Sequence, residues 1–170
     1  VYKVKRANIY LVLLAMLFLH LTVLNYVKIF GAEPDLMLIC VVFFGLFLGT
    51  SAGLEIGLIA GALKDIFALD FLGINAFIFG LVGVLAGAVS MKFSKESKMA
   101  QLIVVFSFTI FSMSLHSVLF SIFLKGVNFS FSENLMTSIM PTAIYTSLVS
   151  IPIFSRFINR YNLKGIEEFL

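Results

Sequence analysis

The sequence predicts an all-α integral membrane protein, and three observations carry that prediction. Hydrophobic residues make up 61% of the 170 residues and charged residues 12%, about half the roughly 25% charge of a soluble domain. Mean hydropathy is +1.09, and the apolar residues come in long runs of the kind that cross a bilayer. The Lys and Arg residues flank those runs rather than forming one face, so the net charge of +3 is not a nucleic-acid footprint. No polar stretch is long enough for a separate soluble core. Residues 1–170 therefore read as a single polytopic membrane domain. Cys40 stands alone in an apolar run, which excludes disulfides and cysteine metal sites. With no tryptophan, interface anchoring falls to Tyr, Phe, Lys and Arg.

Six transmembrane helices are expected, at about 9–27, 35–49, 53–71, 75–91, 99–124 and 134–158. The basic lead VYKVKR opens the first run. That run is longer than the roughly 7–15 apolar residues of a signal peptide, so it reads as an uncleaved span. Pro34 suits the first position of the second helix, and Asp35 then sits in the first turn, where its charge favours the helix dipole. From 36 to 71 the chain is almost continuously apolar. As one helix this would be about 54 Å long against roughly 30 Å of hydrocarbon. It must turn, and GTSAG (49–53) is the place. The second span is then short, and either extends into the turn or thins the bilayer. DFLGIN (70–75) forms the next turn, with Asn75 as N-cap. KFSKESK (92–98) is a basic loop, and KGVNFSFSE precedes a sixth helix that Pro141 and Pro152 should kink.

Orientation follows from the charges. With six spans and the N-terminus inside, Lys3, Lys5, Arg6, Lys92, Lys95, Lys98, Arg156, Arg160 and Lys164 are cytoplasmic. Lys28, Lys64 and Lys125 fall on the outer side. The positive-inside rule thus places both termini in the cytoplasm.

The centre of the sequence is GLFLGTSAGLEIGLIAGALKD. Glycine recurs at Gly45, Gly49, Gly53, Gly57 and Gly61, and the next step of four is Asp65. Four residues is about one helical turn, so these positions form one smooth strip. Interior glycines weaken a helix in water by roughly 1 kcal/mol each, but in a membrane they let backbones approach closely. A second small-residue set follows at Gly80, Gly83, Ala86 and Gly87.

Few residues offer chemistry. Asp65 lies within the outer half of the bilayer and has two readings. It is a polar contact to another helix or subunit, or it reaches the interface with Lys64 snorkelling beside it. Glu55, near the inner turn, reads as solvated. His20 and His116 fall in apolar spans and read as hydrogen-bonded to neighbouring helices, because no chain of ionisable groups accompanies them to make a relay. Ser107, Ser114 and Ser121, with Ser117 nearby, share a face able to hydrogen-bond across helices. No nucleophile triad, HExxH pair, phosphate-binding loop or acid–base carboxylate pair occurs. The sequence nominates no catalytic residue, cofactor site or metal site.

Three features together resemble the MreD family of bacterial rod shape-determining membrane proteins. They are the Pro34-Asp35-Leu36 opening of span two, the stretch GLFLG…GLEIGLIAGALKDIF, and LGINAFIFGLVGVLAG after it. The resemblance implies a non-enzymatic subunit of the cell-elongation machinery in the inner membrane. Its partner would be the transmembrane helix of MreC, and MreC links to the wall-building transpeptidase and RodA. MreB would lie on the cytoplasmic side. It also implies a bundle similar in fold to the substrate-binding S subunits of ECF vitamin transporters, and that fold supplies the rival reading. Those subunits dock through an Ala-x-x-x-Ala element in span one; here Ala15 is followed four residues later by Leu19. On the scaffold reading, Gly45, Gly49, Gly53, Gly57, Gly61, Asp65, Gly80, Gly83 and Gly87 are candidates for the partner interface. On the transporter reading, a polar pocket lies on the outer side near Asp65, Asn75 and residues 125–133. A third class, a lipid-binding accessory protein, would use the basic clusters at 92–98 and 156–164.

Overall fold

The structure, a computed structural model, describes residues 6–23, 32–68, 73–90, 97–123 and 135–161. Among them are six α-helices: α1 (Arg6–Val23), α2 (Leu36–Leu48), α3 (Thr50–Ala68), α4 (Ile74–Val89), α5 (Lys98–Phe123) and α6 (Met140–Tyr161). A single π turn, Leu135–Ile139, leads into α6. The described residues are thus all-helical. Two stretches, Lys98–Ile122 and Thr137–Arg160, are long and apolar enough to cross a membrane. Several expectations fall outside the described residues: the ends of the first, third, fourth and fifth spans, the loops at 92–96 and 125–133, and seven of the twelve basic side chains, including Lys28 and Lys125.

Helix α2 is the hub. LMLICVVFFGLFL is apolar on every side, as a helix surrounded by others must be, and Leu36 to Leu46 are all buried. Its 13 residues rise only about 20 Å. The length is tolerable because the other helices, not lipid, surround it. Phe43, fully buried, packs its ring against Phe44, Phe47, Phe154 and Phe157, with centroids 4.5 to 5.3 Å apart. These rings hold the C-terminal half of α2 against α6.

The turn between α2 and α3 is tighter than GTSAG suggests. Only Gly49 leaves the helical conformation, at φ 88°, and α3 begins at Thr50. Helical hydrogen bonding continues through the junction: the Gly49 N–H donates to the Gly45 carbonyl (3.0 Å) and the Gly53 N–H to the Gly49 carbonyl (2.9 Å). A positive φ is strained for any residue with a Cβ, so one glycine does the work expected of five residues.

Helix α4 begins one residue before Asn75. Its N-cap is Gly73, at φ 102°, so Asn75 is not the cap. In the sixth helix the two prolines differ. Pro141 falls in the first α-helical turn, directly after the π turn. Pro152 is interior. The outer surface is apolar: Phe18, Ile103 and Met99 are 68%, 64% and 71% exposed, and Phe77, Leu58 and Ile144 also project outward. So large an apolar exterior marks a surface that meets something other than water.

Candidate functional site

The glycine strip faces α4, which runs antiparallel to α3. Going along α3, a Cβ placed on Gly53 would strike the Gly83 carbonyl, one on Gly57 the Phe79 carbonyl, and one on Gly61 the backbone of Asn75 and Ala76. The contacts on α4 thus step back as those on α3 step forward. The remaining members close the same seam. Gly83 and Gly87 meet the backbone of Gly53 and Thr50, and a Cβ on Gly45 would lie 2.9 Å from both Ala86 Cβ and the Gly83 oxygen. Gly80 differs, since a Cβ there would meet only the side chains of Leu58 and Leu54. Gly49 has open space around it.

Asp65 closes the seam. It is 1% exposed, and its carboxylate accepts four hydrogen bonds. Oδ1 takes the Asn75 N–H (3.1 Å) and Asn75 Nδ2 (2.8 Å); Oδ2 takes the Gly73 N–H (2.9 Å) and the Ala76 N–H (3.0 Å). The first N–H groups of a helix lack intrahelical partners and attract negative charge. A carboxylate from α3 therefore does for α4 what an N-cap side chain normally does. The short Asp side chain reaches because the glycines bring the two backbones so close. Of the two readings of Asp65, the contact to another helix is the one realised, within the chain.

Lys64, one residue earlier, points the other way. Its ammonium pairs with Asp35 Oδ2 and lies 5.0 Å from the Phe79 ring centroid, so it does not snorkel outward. Asp35 is the N-cap of α2 rather than a first-turn residue, and Pro34 precedes the helix: the Asp35 carboxylate accepts the Leu38 N–H (3.0 Å), and its own N–H donates to the Thr146 hydroxyl (3.1 Å). Successive residues at the end of α3 thereby staple it to both neighbours: Lys64 to the start of α2 and Asp65 to the start of α4.

A partly open cavity of about 380 Å³ lies beside this staple. His20, Asp35, Lys64, Asn75, His116 and Thr142 line it, one or more from each of the six helices or their caps, with Glu33, Ser112, Ser117 and Ser138. His20 Nδ1 is buried without a hydrogen-bond partner, so at this atom the expected bond to a neighbouring helix is not made. The His116 ring stacks on Phe120, centroids 6.0 Å apart. At the opposite end, Glu55 is not simply solvated: it accepts the Tyr10 hydroxyl (2.5 Å) and lies 3.7 Å from Arg6. The serine face of α5 is also corrected. Ser107 and Ser121 donate to carbonyls of their own helix, Ile103 and Val118, rather than across helices.

Sequence reasoning missed Lys64 as the partner of Asp35, and Thr146, Ser112 and Thr142 as polar groups facing inward. Asp35, the partner of both Lys64 and Thr146, lies far from each in the chain, and no local spacing announces that Ser112 and Thr142 face the cavity. Among the described residues no group of three or more His, Cys, Asp or Glu could hold a metal ion.

In comparisons with known proteins, the model of one protein family, described as rod shape-determining protein MreD, matches residues 5–161. No curated protein and no solved structure matches the chain.

Proposed function

The chain belongs to the MreD family of rod shape-determining proteins, and from that membership we propose that it is a non-enzymatic scaffold of the bacterial cell-elongation complex. As a member it is a membrane protein of the shape-determination system. The family match is the observation that carries the reading, because it spans nearly the whole described chain.

In the proposed arrangement all six helices cross the inner membrane with both termini in the cytoplasm. The placement of polar groups supports this. The ends of α1, α3 and α5 and the starts of α2, α4 and α6 supply His20, Lys64, His116, Asp35, Asn75 and Thr142 to one cavity. Alternating spans would bring those ends to one side. Arg6 and Glu55 meet at the other end, where the positive-inside rule puts the cytoplasm.

The partner is the transmembrane helix of MreC, through which the transpeptidase and RodA are reached, with MreB beneath. The glycine seam gives the α3–α4 hairpin a fixed shape, and the outward flank of that hairpin carries Leu54, Leu58 and Phe77, each at least 41% exposed. Gly80 lies under the two leucines, so a partner helix pressing there meets yielding side chains over a small residue, a favourable surface for packing in lipid. A photo-crosslinking residue at Leu58 or Phe77 should capture MreC, including an MreC cut down to its membrane helix. Crosslinks formed only by full-length MreC would move the contact out of the membrane and end this reading.

A further inference from the structure

The cavity at the end of the bundle opposite Arg6 and Glu55 has no part in the scaffold role. In so apolar a chain, polar groups turned inward are costly unless they are satisfied. Asp35 and Lys64 satisfy each other. His20 does not: its Nδ1 is buried with no partner. Ser112 and Thr142, from α5 and α6, are 6% and 8% exposed and line the same space. Three groups from three helices thus converge on a space of about 380 Å³, within the roughly 300–1,000 Å³ of small-molecule sites.

The lining also selects the ligand. Among the described lining residues the one Lys or Arg is Lys64, already engaged by Asp35, and Glu33 adds a second carboxylate. Among the described lining residues an anionic ligand would meet the carboxylates of Asp35 and Glu33 and no cation other than Lys64. Hydroxyl and imidazole groups both donate and accept, and so suit a ligand whose groups do the same. We propose that this cavity binds an uncharged polyhydroxyl group, a sugar or polyol, either free or carried as a lipid headgroup. The site goes beyond the scaffold reading and does not depend on it.

Two arms separate the sources. Saturation-transfer NMR on the full chain in deuterated detergent, with methyl glucoside as probe, reads free sugar. Native mass spectrometry of the chain from phosphatidylcholine nanodiscs doped equally with glucosyl diacylglycerol, phosphatidylethanolamine and phosphatidic acid reads the headgroup. Binding in the first arm, or selective retention of the glucosyl lipid in the second, is expected. It should weaken about tenfold, the effect of one lost hydrogen bond, in Ser112→Leu, in His20→Leu and in the nearly isosteric Thr142→Val. Tyr10→Phe, at the far end, should bind as the parent does. If Ser112→Leu fails to fold, Thr142→Val and His20→Leu carry the test. Binding in neither arm, retention of phosphatidylethanolamine or phosphatidic acid instead, or unchanged binding in folded Thr142→Val and His20→Leu would overturn the assignment.

Discussion

Alanine at Gly57 should destabilise the protein, whereas alanine at Gly80 should be neutral or stabilising. At Gly57 the new methyl would lie 2.6 Å from the Phe79 carbonyl carbon and 2.9 Å from Gly80 Cα, against about 3.5–4.0 Å for a good carbon–carbon contact. Both obstacles are backbone, so α3 and α4 must part locally by about 1 Å. A gap of that size forfeits a quarter to a half of the dispersion energy between the lining atoms, and overpacking of this kind costs about 1–3 kcal/mol. Because the obstacles are backbone the cost falls in the upper part of that range, about 2–3 kcal/mol; alanine restores up to about 1 kcal/mol of helix propensity, leaving a net loss of about 1–2 kcal/mol. At Gly80 the nearest atoms are Leu58 Cδ2 (3.1 Å) and Cγ (3.3 Å), then Leu54 Cδ1 (3.5 Å). These side chains can turn aside, so the propensity gain wins and Gly80→Ala should be neutral or up to about 1 kcal/mol more stable. Unfolding in mixed micelles, followed by far-UV circular dichroism, gives both values. Equal stability of Gly57→Ala and the parent, or greater damage from Gly80→Ala, would refute the seam.

Other positions give further tests. Asp65→Ala orphans four donors at the start of α4 and should cost about 2–4 kcal/mol; Asp65→Asn, which keeps one acceptor oxygen, should cost about half as much, and an Asp65→Ala variant as stable as the parent would show that the carboxylate is not the cap. Lys64→Met strands Asp35 in a buried setting and should destabilise by about 2–4 kcal/mol, whereas Asp35→Asn combined with Lys64→Met should recover part of it; a double variant as weak as the sum of the singles would deny the pairing. Phe43→Ala removes the centre of the ring cluster. It should cost about 1–3 kcal/mol, below the roughly 3–5 of a water-soluble core, because in lipid only packing is lost. A cost of the full soluble size, measured in micelles, would argue that α2 and α6 fold against water.

How much was legible depended on how local each signal was. The strip from Gly45 to Asp65 was readable because one small residue per turn has one helical meaning, close backbone approach. Its counterpart, Gly83 and Gly87, was visible within a second set, but nothing local says that these glycines face the strip while Gly80 turns to Leu54 and Leu58. The Gly49 turn was placed correctly and drawn too wide, since a single positive φ reverses the chain and leaves no compositional trace beyond one glycine. Asp65 could have been assigned more sharply: its donors at 73, 75 and 76 follow within eleven residues, and a buried acid just before a turn and a helix start is a natural cap. The Asp35–Lys64 pair spans 29 residues, and the cavity takes residues from 20 to 142. Only the tertiary fold brings such groups together.

The central claim, a membrane scaffold for a single-span partner, is tested most directly by purifying the native protein in mild detergent and identifying by mass spectrometry what accompanies it. The account predicts MreC, a single-span protein with a periplasmic coiled coil, retained at a stoichiometric level with or without wall-synthesis enzymes. An ATPase pair with a coupling subunit in its place would contradict it and make the chain a transporter component.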